Sequence, residues 1–143
     1  MLDTGAQALV LGGVLSAAAA AAHLACIAVG ARAYRFMGAG ERMARAAEAG
    51  QIRPALLTLF IAGVLLLWAM YAFSGAGIGP RLPWTKPALA CIGAVYLARA
   101  VCFPLLRPAF PENSTRFWLV SSGICAVLGS LYAVGVVAAW ADL

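Results

Sequence analysis

PALLTLFIAGVLLLWAMYAF, from Pro54 to Phe73, contains no Asp, Glu, Lys, Arg or His. At 1.5 Å of rise per residue, about 20 helical residues match the roughly 30 Å hydrocarbon core of a bilayer. An amphipathic surface helix would keep a polar face, and this stretch has none. Three further runs of similar length flank it: Ala8 to Ala31, Pro87 to Leu106, and Phe117 to Trp140. None contains Asp, Glu or Lys, and the only arginine inside a run is Arg99. The runs are continuously apolar, without the alternation of membrane strands, so helices are expected rather than a barrel.

Composition agrees. The 143 residues are 64% hydrophobic and 10% charged, with a mean hydropathy of +0.94, whereas charge makes up about a quarter of a soluble domain. The expected fold class is all-α: an integral membrane four-helix bundle forming a single membrane domain over residues 1–143, with helices near 8–31, 54–73, 87–106 and 117–140. The first run resembles a signal peptide only in its alanines. No positive segment precedes it, Asp3 is acidic, and it exceeds the 7–15 residues of a typical apolar signal core, so it is expected to remain as a span.

Positive charge sets the expected orientation. Arg32, Arg35, Arg42, Arg45 and Arg53 lie between the first two runs, and Arg107 and Arg116 between the last two. Arg81 and Lys86 alone occupy the middle connection. The positive-inside rule then places both termini outside and the two basic loops in the cytoplasm, as expected in a bacterial inner membrane. Tyr34, Phe36, Phe110, Phe117 and Trp118 would form the inner aromatic belt, and Tyr71, Phe73, Trp84 and Trp140 the outer one. The net charge of +5 reads as topology plus attraction to anionic membrane lipids. Nucleic acid is not an expected partner, because the basic residues are divided among loops.

Local chemistry refines this layout. Gly12, Gly13, Ser16 and the alanine tract 17–22 suit the first helix to close packing, as Ser121, Ser122, Gly123, Gly129, Ser130 and Gly135 suit the last. Glu41 to Ala49, bracketed by Gly40 and Gly50, reads as a short interfacial helix with Glu41 and Arg45 at i,i+4 spacing. Pro54 and Pro87 open helices. Asn113, Ser114 or Thr115 caps the last one. Cys26, Cys91, Cys102 and Cys125 lie in the runs without a C-x-x-C pair and are expected as free, packed thiols.

The candidate site centres on VYLARAVCFPLLRPAFPENSTRFW, Val95 to Trp118. Arg99 falls past the midpoint of its run, where an arginine costs roughly 2.5–3.5 kcal/mol on insertion scales. Cys91, Val95, Arg99 and Cys102 share a stripe, with Tyr96 on the adjoining edge. Pro104 cannot bond the carbonyl of Ala100 and is expected to kink the helix beside Arg99. With no acid in any run, the counter-charge must come from Glu41, Glu48, Glu112 or an anionic ligand; the alternative is that Arg99 snorkels to the headgroups. His23, Thr58, Ser121 and Ser122 fall in the same half of the membrane.

A pocket lined by His23, Tyr96, Arg99 and Ser122 is therefore expected, open to the cytoplasmic leaflet and binding or modifying an anionic amphiphile. No metal is expected, since His23 and Cys26 are too few ligands, and no catalytic residue is identifiable. The same residues admit a small transporter subunit or a non-catalytic accessory subunit of a larger membrane complex. An oligomer is expected.

GERMARA, from Gly40 to Ala46, and ARAVCFPLLR, from Ala98 to Arg107, with Arg116 following, resemble the arginine motifs of the MAPEG family, small four-helix membrane proteins of eicosanoid and glutathione metabolism. The resemblance covers the topology of most of the chain and short patches of its sequence. It implies a homotrimeric transferase with glutathione or a lipid-like substrate between subunits, and Arg42, Arg45, Arg99 and Arg116 holding carboxylates. Two positions depart from the family pattern. Ala47, Glu48 and Ala49 stand where an asparagine is usual, and Phe103 or Pro104 where a tyrosine hydroxyl would activate the thiolate.

Overall fold

A computed structural model describes residues 3–143. Among them every regular element is helical: α1 (Thr4–Val29), α2 (Ala31–Phe36), α3 (Glu41–Glu48), α4 (Arg53–Gly75), α5 (Thr85–Val101), α6 (Phe103–Leu106) and α7 (Thr115–Ala138), with a 3-10 turn at Arg107–Ala109. By length and composition α1, α4 and α7 can each cross a membrane, and α5 with the bent segment Phe103–Ala109 makes a fourth where the two are counted as one span.

Helix ends follow local chemistry. Asp3 accepts the amide of Ala6 at 2.8 Å and starts α1. Gly30, at φ 82° and ψ −146°, ends it; that backbone region is open to glycine and strained for other residues. The first helix thus ends within two residues of its expected boundary at Ala31, and the chain restarts as α2. Pro54 sits in the first turn of α4, where its missing amide is not needed. Of the three capping candidates before α7, Ser114 does the work, accepting the amide of Phe117 at 3.1 Å.

α1 packs against α4 and α7, α5 packs against α7, and α5 closes more loosely on α4. Small residues set these distances. A Cβ on Gly12 would stand 3.0 Å from Tyr132, one on Gly129 2.7 Å from Leu97, and one on Gly135 2.5 Å from Leu9. The close packing expected of the first and last helices is thus present, and in lipid such contacts replace hydrophobic collapse as the source of association. α4 turns Leu56, Leu57, Leu59, Phe60, Leu66 and Met70 outward.

The two ends of the bundle differ. Gly5 lies against Ala139, and Asp3 and Asp142 line one cleft, so both terminal segments share one end. α2, α3 and the segment after α6 share the other, called here the loop end. There Tyr34, 3% exposed, packs with Cys26 and Ala44 in a small second core, instead of joining a surface belt. Arg35 donates to Glu41 through Nε (2.9 Å) and NH2 (2.8 Å) and to Glu48 through NH1 (2.7 Å). These bonds hold both carboxyls below the usual glutamate range. Glu41 and Arg45, the pair expected at i,i+4, stand 3.6 Å apart.

The segment between α6 and α7 straps this unit down. Glu112 accepts the amide of Glu41 at 2.7 Å, and Asn113 donates to the carbonyl of Gly38 at 2.8 Å. Gly38 adopts φ +71°, and any Cβ there would collide with the Phe117 ring.

The third run departs from expectation in its length. Its straight part ends at Val101, and the chain turns by 67° into the segment Phe103–Ala109. The amide of Cys102 closes the last turn on Ala98 at 2.8 Å, whereas Pro104 has no amide to continue the ladder. The proline break is therefore sharper than a kink. Arg99, read from the sequence as lying near mid-membrane, belongs to the last turn of α5.

Candidate functional site

Among the described residues, two buried polar clusters lie between the long helices of this apolar bundle. In the first, each long helix contributes one residue: Ser16 from α1, Trp68 from α4, Tyr96 from α5 and Tyr132 from α7. Ser16 Oγ is 2.9 Å from the Tyr96 hydroxyl and 3.0 Å from that of Tyr132. Tyr132 donates to the carbonyl of Trp68 at 3.2 Å. Because each hydroxyl has one proton, that terminal carbonyl fixes the direction of the chain. Tyr96 donates to Ser16, Ser16 to Tyr132, and Tyr132 to Trp68. The Trp68 and Tyr96 rings meet edge to face, with centroids 5.0 Å apart. Every hydroxyl proton in this knot has an acceptor.

The second cluster surrounds Arg99. Leu97 lies against Gly129, and Gly93 against Tyr132 and Ala133, so in this antiparallel pair Arg99 leaves α5 level with about Val127. Its guanidinium runs along α7 toward the loop end by more than a helical turn. NH2 donates to Ser121 Oγ at 3.2 Å, and Cζ lies 5.1 Å from the centre of the Trp118 ring, a cation–π distance. Arg99 NH1, Trp118 Nε1 and Ser122 Oγ are buried without a hydrogen-bond partner. Trp118 is 2% exposed and Ser122 7% exposed; their i,i+4 spacing sets them on one face of α7.

The acids that could have neutralised Arg99 are engaged elsewhere. Glu41 and Glu48 are held by Arg35, and Glu112 binds the start of α3. Asp3 and Asp142 line the cleft at the opposite end. No carboxylate pairs with Arg99 among the described residues. A guanidinium and an indole N–H only donate, so a full positive charge and orphaned donors meet where water is scarce. Buried polar atoms are nearly always paired in native proteins. This cluster has the composition of a site for an oxyanion.

Of the residues expected to line one pocket, Arg99 and Ser122 lie in this cluster. Tyr96 belongs to the central knot: the buried stripe of α5 is Leu89, Ile92, Gly93, Tyr96 and Ala100, while Cys91 and Val95 of the Arg99 stripe are exposed. His23 is half-buried, its Nδ1 2.8 Å from the carbonyl of Ala19 one turn back. Thr58 donates to the carbonyl of Pro54 at 2.8 Å and lies 3.2 Å from the Tyr34 hydroxyl. Arg42 and Arg45 line a separate surface cavity of about 530 Å³ with Ala46, Gln51 and Glu112. Arg116 is exposed in the first turn of α7 and has no partner among the described residues.

Trp118 is the residue that sequence reasoning assigned elsewhere, to an aromatic belt. Its spacing from Ser121 and Ser122 carried the signal, because the three project on adjoining lines of one helix facing the antiparallel helix that bears Arg99. Phe110 and Phe117 pack on it at centroid distances of 6.4 and 5.8 Å.

The sequence matches no protein family, and comparison with curated proteins and with solved structures finds no similar chain. The likeness to MAPEG proteins accordingly rests on topology and the short arginine patches, and the four arginines it groups are divided between the Arg99 cluster, the Arg42–Arg45 cavity and the exposed start of α7.

Proposed function

We propose that this chain is a small polytopic membrane protein that binds an anionic amphiphile, its charged group resting between α5 and α7 on Arg99. One observation carries the reading: Arg99 NH1, Trp118 Nε1 and Ser122 Oγ are buried and unpaired around a guanidinium with which no carboxylate pairs among the described residues. An unpaired charge in a membrane helix marks a functional site by default.

The charge distribution supports the finer placement, with the loop end cytoplasmic, both termini outside and the host membrane a bacterial inner membrane. Assembly of several copies is part of the same proposal. Reporter fusions at the C-terminus test the orientation: an alkaline phosphatase fusion is expected active and a green fluorescent one dark, and the reverse pattern overturns it.

The binding test is direct. Protein purified in a mild neutral detergent is expected to retain anionic amphiphile near one molecule per chain, measured by extraction and mass spectrometry. Arg99→Gln is expected to retain about tenfold less, the scale of a lost charge-assisted hydrogen bond plus its Coulomb term. Equal retention by wild type and Arg99→Gln would sink the proposal.

A further inference from the structure

We infer that the group held at Arg99 is the phosphate of a membrane lipid with a small headgroup, entering sideways where α5 turns away from α7, and that Trp118 selects phosphate over carboxylate. This rests on the reading of Arg99 as an anion site.

The entrance is the first observation. α5 stops at Val101 and the following segment leaves at 67°, so the first turns of α7 lose their neighbour on that side. The surface at that end of α5 is apolar, with Val101 and Leu105 72% and 79% exposed. Trp118 and Ser122, which carry orphaned donors, belong to those first turns of α7. An apolar mouth over a charged interior fits a molecule whose chains stay in the bilayer while its headgroup turns inward.

The directions of the donors separate phosphate from carboxylate. Arg99 lies over the face of Trp118, whereas the indole N–H points outward in the plane of the ring. Ser121 already takes NH2, which leaves NH1, the indole N–H and the Ser122 hydroxyl, contributed by two helices and without partners. A carboxylate has two coplanar oxygens and is satisfied by a guanidinium fork alone. A tetrahedral phosphate offers oxygens out of that plane and can reach the indole and the guanidinium together.

Headgroup size follows from the walls. Phe110 and Phe117 pack on Trp118, and Phe117 is pinned over Gly38 by the strap that Asn113 and Glu112 make. These rings close the loop-end side of the cluster. A choline would bring its positive charge against that of Arg99. A phosphomonoester or a lightly substituted phosphodiester fits.

Native mass spectrometry and calorimetry of the full chain in neutral detergent decide the matter, with lysophosphatidic acid, lysophosphatidylcholine, oleate and inorganic phosphate as probes. Wild type is expected to bind lysophosphatidic acid about tenfold more tightly than either oleate or lysophosphatidylcholine, and inorganic phosphate more weakly than all three. Trp118→Phe keeps the aromatic stack and removes the N–H; it is expected to bring lysophosphatidic acid and oleate within about twofold while leaving oleate unchanged. Should Trp118→Phe melt well below wild type, Ser122→Ala serves instead, with the same narrowing expected.

Parity between oleate and lysophosphatidic acid in wild type overturns the selection of phosphate and leaves the anion site standing. Parity with lysophosphatidylcholine overturns the small headgroup. Inorganic phosphate binding as tightly as the lipid and displacing it overturns the membrane source. Failure of every probe to bind removes the anion site as well.

Discussion

The central knot and the Arg99 cluster are built from the same kinds of group, hydroxyls, aromatic rings and N–H donors, in the same apolar bundle, yet one is closed and the other open. In the knot the chain of donors ends on the carbonyl of Trp68 and nothing is left over. Around Arg99 three buried atoms have no partner. A closed network ties four helices together and excludes ligands because it has no free valence. An open one contributes little to holding the helices and retains affinity for whatever completes it.

The largest test of this contrast removes the knot's main body. Tyr132 is fully buried and packs on Gly12, so Tyr132→Ala is expected to destabilise the bundle by about 3–5 kcal/mol through cavity formation and loss of the hydrogen-bond chain. Reversible unfolding in mixed micelles measures it. A loss below about 1 kcal/mol would mean that the knot is not what joins the helices.

A matched pair of serines sharpens the comparison. Ser16→Ala leaves the Tyr96 proton without an acceptor and is expected to cost about 1 kcal/mol, near the upper range for hydrogen bonds between membrane helices. Ser122→Ala removes a hydroxyl that had no partner and is expected to lie within about 0.5 kcal/mol of wild type. The same unfolding measurement reads both. Equal losses from the two substitutions would erase the distinction between closed and open clusters.

The smallest expected effect lies outside the span and depends on pH. Arg35 lowers the carboxyls of Glu41 and Glu48 from their ordinary value of 4.5. A lowered folded-state value means the stabilisation is present above that ordinary value and fades as the pH falls through the depressed one. A nitroxide at Ala49→Cys in a cysteine-free background should report an ordered α3 from neutral pH down to about 5 and rising mobility below about 4.5, modest because the groups are exposed. The knot, whose members are tyrosine and serine, should not respond over that range. Constant mobility down to about pH 3 would show that the Arg35 fork does not hold α3.

Four apolar runs were legible because length and continuity alone specify spanning helices, with no tertiary information needed. Much of the loop end was legible for the same local reason: Gly40 and Gly50 bracket α3, and Ser114 stands where a cap is required. The short helix α2 was not anticipated, since six residues after Gly30 are too few to show a helical period. Arg99 announced itself as a charge among apolar residues. Its partners did not, because which α7 residues face it depends on the register fixed by Leu97 on Gly129. Tyr96 and Arg99 are three residues apart, close enough to share an edge in a helical projection. The fold turns one toward the four-helix centre and the other along α7.

The bend after Val101 also bears on the membrane itself. A straight helix of 17 residues spans about 25 Å, some 5 Å short of a typical hydrocarbon core. Beside α5 the bilayer must thin, or headgroups and water must sink to meet the shortened helix. Such thinning beside α5 would bring lipid phosphates toward the depth of the Arg99 guanidinium while the cluster itself stays shielded by Trp118. The early end of α5 would then act as a local funnel in the surrounding lipid, made by a proline that lies outside the bundle core.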